Sequence, residues 1–106
     1  MRWIILFVAG LFEIFWAIGL KYSEGFTKVF PSVLTVFGMI ISFYLLSLAL
    51  KNLPLGTAYA IWTGIGTVGT VIFGIILFKE PVDVMRITFI MLILIGIIGL
   101  KITVPD

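Results

Sequence analysis

The sequence predicts an all-α membrane protein of four transmembrane helices, and three observations carry that prediction. First, 62% of the 106 residues are hydrophobic and only 11% are charged, against roughly a quarter charged in an ordinary soluble domain. A fold this small leaves much of its surface exposed, so lipid rather than water must cover the excess apolar area. Second, the apolar residues fall into four runs, 3–20, 32–50, 57–78 and 87–104, each long enough to span about 30 Å of hydrocarbon as a helix. Third, the segments between the runs hold Gly, Pro and charged residues. A membrane strand would need about half the length and would alternate polar with apolar.

The first run begins after Arg2 and carries Glu13 at its centre. A carboxylate there argues against a cleaved signal peptide, as does the lack of an A-x-A type cleavage site. Lys21 to Lys28, followed by Pro31, separates the first run from the second. Lys51 to Gly56 separates the second from the third, and Lys79 to Arg86 the third from the fourth. Gly and Pro in these segments are expected to stop helices. Links this short make neighbouring helices antiparallel and put both termini on one side. Residues 1–106 are therefore expected to form a single four-helix domain.

Composition also excludes function classes. With no Cys and no His, disulfides, thiolate chemistry and the commonest zinc sites are ruled out. No cofactor and no metal are expected. The net charge of +2 comes from basic residues scattered singly near segment ends, which marks headgroup contact with membrane lipid rather than a nucleic-acid partner. The string from Gly64 to Gly69 matches G-x-G-x-x-G, but no strand precedes it and a membrane span contains it, so nucleotide binding is rejected. No nucleophile–base pair is found, so the chain is not expected to be an enzyme.

Glu13 lies about ten residues into its helix, near the midplane, with no Lys or Arg at similar depth in any span. A carboxylate withdrawn from water favours its protonated form unless a cation compensates its charge, so a proton and a cation would compete there. Its alternative role is that of a protonated hydrogen-bond donor between helices. Gly10 and Trp16 flank it at helical spacing. Gly10 would leave room for a ligand or a second helix, and the Trp16 indole would either donate to the carboxylate or pack inside the bundle. In the third helix Tyr59, Trp62, Thr63, Gly66 and Thr70 form a stripe expected to face the interior. Tyr59 and Trp62 would wall a cation cavity through their ring faces, or else fill core space. Ser42, one turn beyond Gly38, would either orient the Glu13 carboxylate or bond its own backbone four residues back.

Glycines in the third helix, Gly64 and Gly66 among them, allow close packing or a bend that would serve gating. Gly96 and Gly99 in the fourth helix suggest helix pairing. Lys101, in the last turn of that helix, either snorkels to the interface or forms an ion pair that alternates with the access state.

Orientation should follow the Lys and Arg bias across the membrane. Arg2, Lys51 and Lys101 lie on one side, and Lys21, Lys28, Lys79 and Arg86 on the other. Three against four is close to balance. Either the small count carries no information or the chain inserts both ways, forming an antiparallel, dual-topology homodimer of eight helices. The second reading supplies the two inverted halves that alternating access commonly uses, with the site near the midplane.

These residues resemble the small multidrug resistance family along the whole chain. The resemblance rests on Glu13 with Trp16, on the run from Gly56 to Trp62, and on the Gly-Ile-Gly that follows. The stretch from Trp16 to Thr27, and within it Lys21 to Phe26, is similar to the guanidinium-exporter subtype more than to the polyaromatic-drug subtype. The resemblance implies a proton-coupled antiporter in the inner or plasma membrane of a prokaryote. It also implies an antiparallel homodimer sharing two central glutamates, and a hydrogen-bond network of Trp16, Ser42, Tyr59 and Trp62. Guanidinium suits such a site because its paired N–H groups fit a carboxylate side by side. The alternatives are export of quaternary ammonium or other lipophilic cations, and a membrane assembly subunit that transports nothing.

Overall fold

The computed structural model describes residues 1–103 and contains four helices in chain order: α1 (Arg2–Tyr22), α2 (Val29–Leu50), α3 (Leu55–Phe78) and α4 (Val84–Thr103). Each is long and apolar enough to cross a membrane. The four expected spans are all present. Val104, the expected end of the fourth, lies outside the described residues, as do positions 105 and 106.

The helices start earlier than the breaker residues suggested. Pro31 was expected to precede its helix, yet it sits in the first turn of α2, which begins at Val29. No backbone N–H there has a partner within the helix, so proline loses nothing. Pro54 occupies the N-cap of α3. α4 begins three residues before the expected start because Asp83 caps it: the Arg86 backbone N–H donates to Asp83 Oδ1 at 2.8 Å.

The α1–α2 turn is tight, with Glu24, Gly25 and Phe26 all in the left-handed region. Fully buried Ser23 pins it. Its hydroxyl donates to the Leu20 carbonyl at 2.7 Å and accepts from the Phe26 N–H at 3.1 Å. At the end of α3, Lys79 is left-handed (φ 54°), and the next N–H, that of Glu80, returns to the Gly74 carbonyl at 3.3 Å. This closure stops the helix and folds Glu80 back over its last turns.

Small residues decide how the helices pack. A Cβ at Gly19 would meet Thr35, and one at Gly38 would meet Phe15 and Trp16, so α1 and α2 approach closely in antiparallel fashion. Along the α1–α3 seam Gly10 meets Ile65 and Gly69 meets Ile14, which aligns these two helices in the same direction. Gly64 faces the other way, where a Cβ would meet Ile97 and Ile93 of α4. The apolar core gathers Leu6 and Ala9 of α1, Leu46 and Ala49 of α2, and Ala58, Ile61 and Trp62 of α3.

The four helices form a flat slab of 44 × 35 × 17 Å. With packed helix axes about 8–10 Å apart, 17 Å holds no more than about two helix layers. Among the described residues, α4 packs chiefly on α3 and has no buried residue.

Candidate functional site

Glu13 leaves α1 toward α3 and lies against Gly66. A Cβ added at Gly66 would fall within the Glu13 carboxylate, so any larger residue would displace it. Oε1 of Glu13 is buried and accepts no hydrogen bond among the described residues. The carboxylate therefore sits in an apolar seam with acceptor capacity unused. An ionised group in that position attracts whatever cation or proton can reach it.

One turn toward the N-terminus, a polar node ties three helices together. The Ser42 hydroxyl of α2 donates to the Ala9 carbonyl of α1 at 2.8 Å, and the Trp62 indole N–H of α3 donates to Ser42 Oγ at 3.0 Å. All of this is buried. The hydroxyl adopts neither expected role, since it reaches neither Glu13 nor its own helix backbone. The node fixes the Trp62 ring, and rings then continue outward from it. Between ring centroids, Tyr59 lies 5.5 Å and Phe43 5.6 Å from Trp62, and Trp16 lies 6.1 Å from Phe43.

Trp16 does not donate to Glu13; its Nε1 is buried without a hydrogen-bond partner among the described residues. The physical reason is angular. Residues three apart on a helix differ by about 60° in direction, which sends Glu13 to Gly66 on α3 and Trp16 to Gly38 on α2. The expected four-residue hydrogen-bond network thus contracts to the Ser42–Trp62 bond, joined to Trp16 and Tyr59 by ring contacts alone. Tyr59 is 55% exposed. Thr63 Oγ1 is a further buried polar atom without a partner.

Gly10 leaves room for a helix rather than a ligand, because Ile65 fills it. Gly64 serves contact with α4. Lys101 is exposed, and its ammonium lies 5.2 Å from the Trp3 ring centroid at the opposite end of α1 from Lys21. Phe43 was missed in the sequence because an apolar residue in a membrane span carries no signal of its own. Its position beside Ser42 was the available clue.

A groove of about 460 Å³ lies between α1 and α2 among Phe15, Ile18, Tyr22, Phe30 and Leu34. It does not include Glu13. A smaller cavity of about 210 Å³ lies between α1 and α3, beginning at Ala17 and Thr70. Those residues are each one turn beyond Glu13 and Gly66.

Comparison with known proteins finds relatives over nearly the whole chain. The profile described as Small Multidrug Resistance protein matches residues 1–93. A protein of Proteus vulgaris named Guanidinium exporter is 61% identical over 101 residues, covering 95% of this chain and 97% of that one. Proteins of the same name from Escherichia coli K12 and Yersinia pestis are 56% and 58% identical, over 97% and 95% of this chain and 98% and 97% of their own lengths. Four apolar helices and relatives of this kind make it a multi-pass protein of a prokaryotic inner membrane. With its family profile and its near full-length relatives in agreement, the chain belongs to the small multidrug resistance family.

Proposed function

We propose that the chain exports guanidinium in exchange for protons by alternating access, with Glu13 from each of two antiparallel copies holding either protons or the cation. The observation that carries this reading is the Glu13 carboxylate in the α1–α3 seam, over Gly66, with Oε1 unpaired. A bare carboxylate in hydrocarbon must take a proton or a cation, and competition for one acceptor couples their movements. The name of the relatives supplies the substrate class, and charge-assisted pairing of a planar N–H donor with a carboxylate supplies the chemistry.

The slab shape supports a dimer, since four helices in so thin a slab do not enclose a pathway. α4 presents its surface outward, and a Cβ at Gly96 or Gly99 would meet nothing within 4 Å. A second copy packed there would find room for close helix contact. Near balance of Lys and Arg between the two ends suits insertion in both orientations.

Equilibrium binding of guanidinium across pH, to the wild type and to Glu13→Gln, tests the site. The wild type is expected to bind less tightly as pH falls, and the variant to lose both binding and pH dependence. Persistent proton-coupled exchange in Glu13→Gln overturns the role of Glu13. Transport of tetra-alkylammonium without guanidinium overturns the substrate, and tags reporting a single orientation overturn dual topology.

A further inference from the structure

The cavity between α1 and α3 begins one turn beyond Glu13 and Gly66, at Ala17 and Thr70, and runs toward the end of the bundle where α3 stops. Its walls are Ala17, Ile18 and Lys21 on one side and Thr70, Val71, Gly74 and Phe78 on the other, with Glu80 at the mouth. Gly66 and Gly74 are eight residues apart, which places the mouth about 12 Å along α3 from the Glu13 carboxylate.

Glu80 is held there by the way α3 ends. Its N–H returns to the Gly74 carbonyl, and its carboxylate lies over Gly74 so closely that a Cβ there would come 2.7 Å from Oε1 and 3.1 Å from Oε2. A carboxylate resting on the carbonyl end of a helix adds negative charge to the negative pole of the helix dipole, so the pair together attracts a cation.

Two cations are near, and neither neutralises Glu80 fully. Lys21 turns its ammonium to the Phe78 ring, 5.5 Å from the centroid. Arg86 reaches Glu80 Oε1 through Nη2 at a long 3.4 Å, while its Nη1 donates to the Pro81 carbonyl at 3.1 Å. The contact is not the two-bond pairing that makes Arg–carboxylate contacts strong. Both side chains are more than a third exposed, so the pair is weak and water-accessible. The group resting on Glu80 is itself a guanidinium.

We propose that Glu80 is an outer cation station at the mouth of the α1–α3 cavity, where a guanidinium cargo displaces the tethered guanidinium of Arg86 before passing to Glu13. The station rests on the guanidinium reading of Glu13. Displacement is cheap because Arg86 keeps its Pro81 bond and its contact with water. The cargo, untethered, can meet both carboxylate oxygens. Thr70 lies one turn deeper and offers a hydroxyl between the two carboxylates.

The test uses the full-length protein in proteoliposomes, with initial rates of guanidinium uptake over a range of concentrations, beside equilibrium binding and proton release in detergent. Glu80→Gln is expected to raise the half-saturating concentration for uptake about three- to fivefold, while equilibrium affinity and proton release at Glu13 stay at the wild-type level. Arg86→Gln removes the tethered competitor and is expected to lower the half-saturating concentration about twofold. The opposite signs are decisive, because a merely structural ion pair would make both variants worse alike. Glu80→Asp, which keeps the charge, is expected to lie between wild type and Glu80→Gln. Equal loss in both variants, an unchanged half-saturation in Glu80→Gln, or a parallel loss of equilibrium affinity overturns the station. Failure of the wild type to exchange protons for guanidinium overturns the underlying reading instead.

Discussion

Replacing Gly66 by Ala is the most informative single change at the Glu13 site. The added Cβ would overlap the carboxylate and lie 2.7 Å from Glu13 Cγ, whereas ordinary contact starts near 3.4 Å. Cγ must therefore retreat by about 0.7 Å, and the carboxylate beyond it by more than about 1 Å. Ala favours the helix by up to about 1 kcal/mol over Gly, and crowding costs about 1–3 kcal/mol. These terms partly cancel, so the fold is expected to persist with a melting point near that of the wild type. Binding suffers more, because a displaced carboxylate loses a charge-assisted hydrogen bond of about 1.5–3 kcal/mol, or roughly 10- to 100-fold in affinity. Calorimetric titration of guanidinium in detergent, with a circular dichroism melt, reads both quantities. Glu13→Asp in the Gly66→Ala background withdraws the carboxylate by one methylene and should recover part of the lost affinity. Such recovery measures the coupling of the two positions directly. An affinity within twofold of wild type in a folded Gly66→Ala protein would falsify the placement of Glu13 against α3.

Other consequences are separately measurable. Protonation removes the charge that binds the cation, so apparent guanidinium affinity should fall as pH falls, by about tenfold per unit for each proton displaced; a flat titration in the wild type refutes the competition. Ser42→Ala leaves the Trp62 indole without its acceptor and should cost about 1–2 kcal/mol of stability, read as a lower unfolding midpoint, with an unchanged midpoint counting against the node. Ser23→Ala removes both bonds that pin the α1–α2 turn and should speed hydrogen exchange at the Phe26 amide by roughly fivefold or more, since each such bond is worth about 1 kcal/mol.

The four spans and the central glutamate were legible because both follow from the cost of polar groups in hydrocarbon, which acts on composition and position alone. Helix ends were less legible. Asp83 and Pro54 act as caps rather than breakers, and Pro31 is harmless in a first turn, so each helix border depended on local hydrogen bonding. Partner choice was the least legible. Trp16 and Glu13 share a helical neighbourhood, yet a 60° difference sends one to α2 and the other to α3. Ser42 was identified as a polar outlier, but the atom it meets, the Ala9 carbonyl, belongs to every residue alike and leaves no trace in the sequence. The contact of Glu80 with Gly74 arises only once α3 has ended in a left-handed residue.

A slab only 17 Å thick has a thermodynamic consequence. Most side chains of α4 and the outer faces of α2 contact whatever surrounds the chain, and between apolar helices and lipid tails there is no hydrophobic gain of the kind water provides. The unfolding free energy is then a joint property of the polypeptide and its amphiphile. Chain length, headgroup and thickness of the surrounding layer belong in the definition of the folded state, as pH and salt do for a water-soluble enzyme. A stability measured in one detergent is not a constant of this sequence, and the same substitution can change sign between a micelle and a bilayer of different thickness.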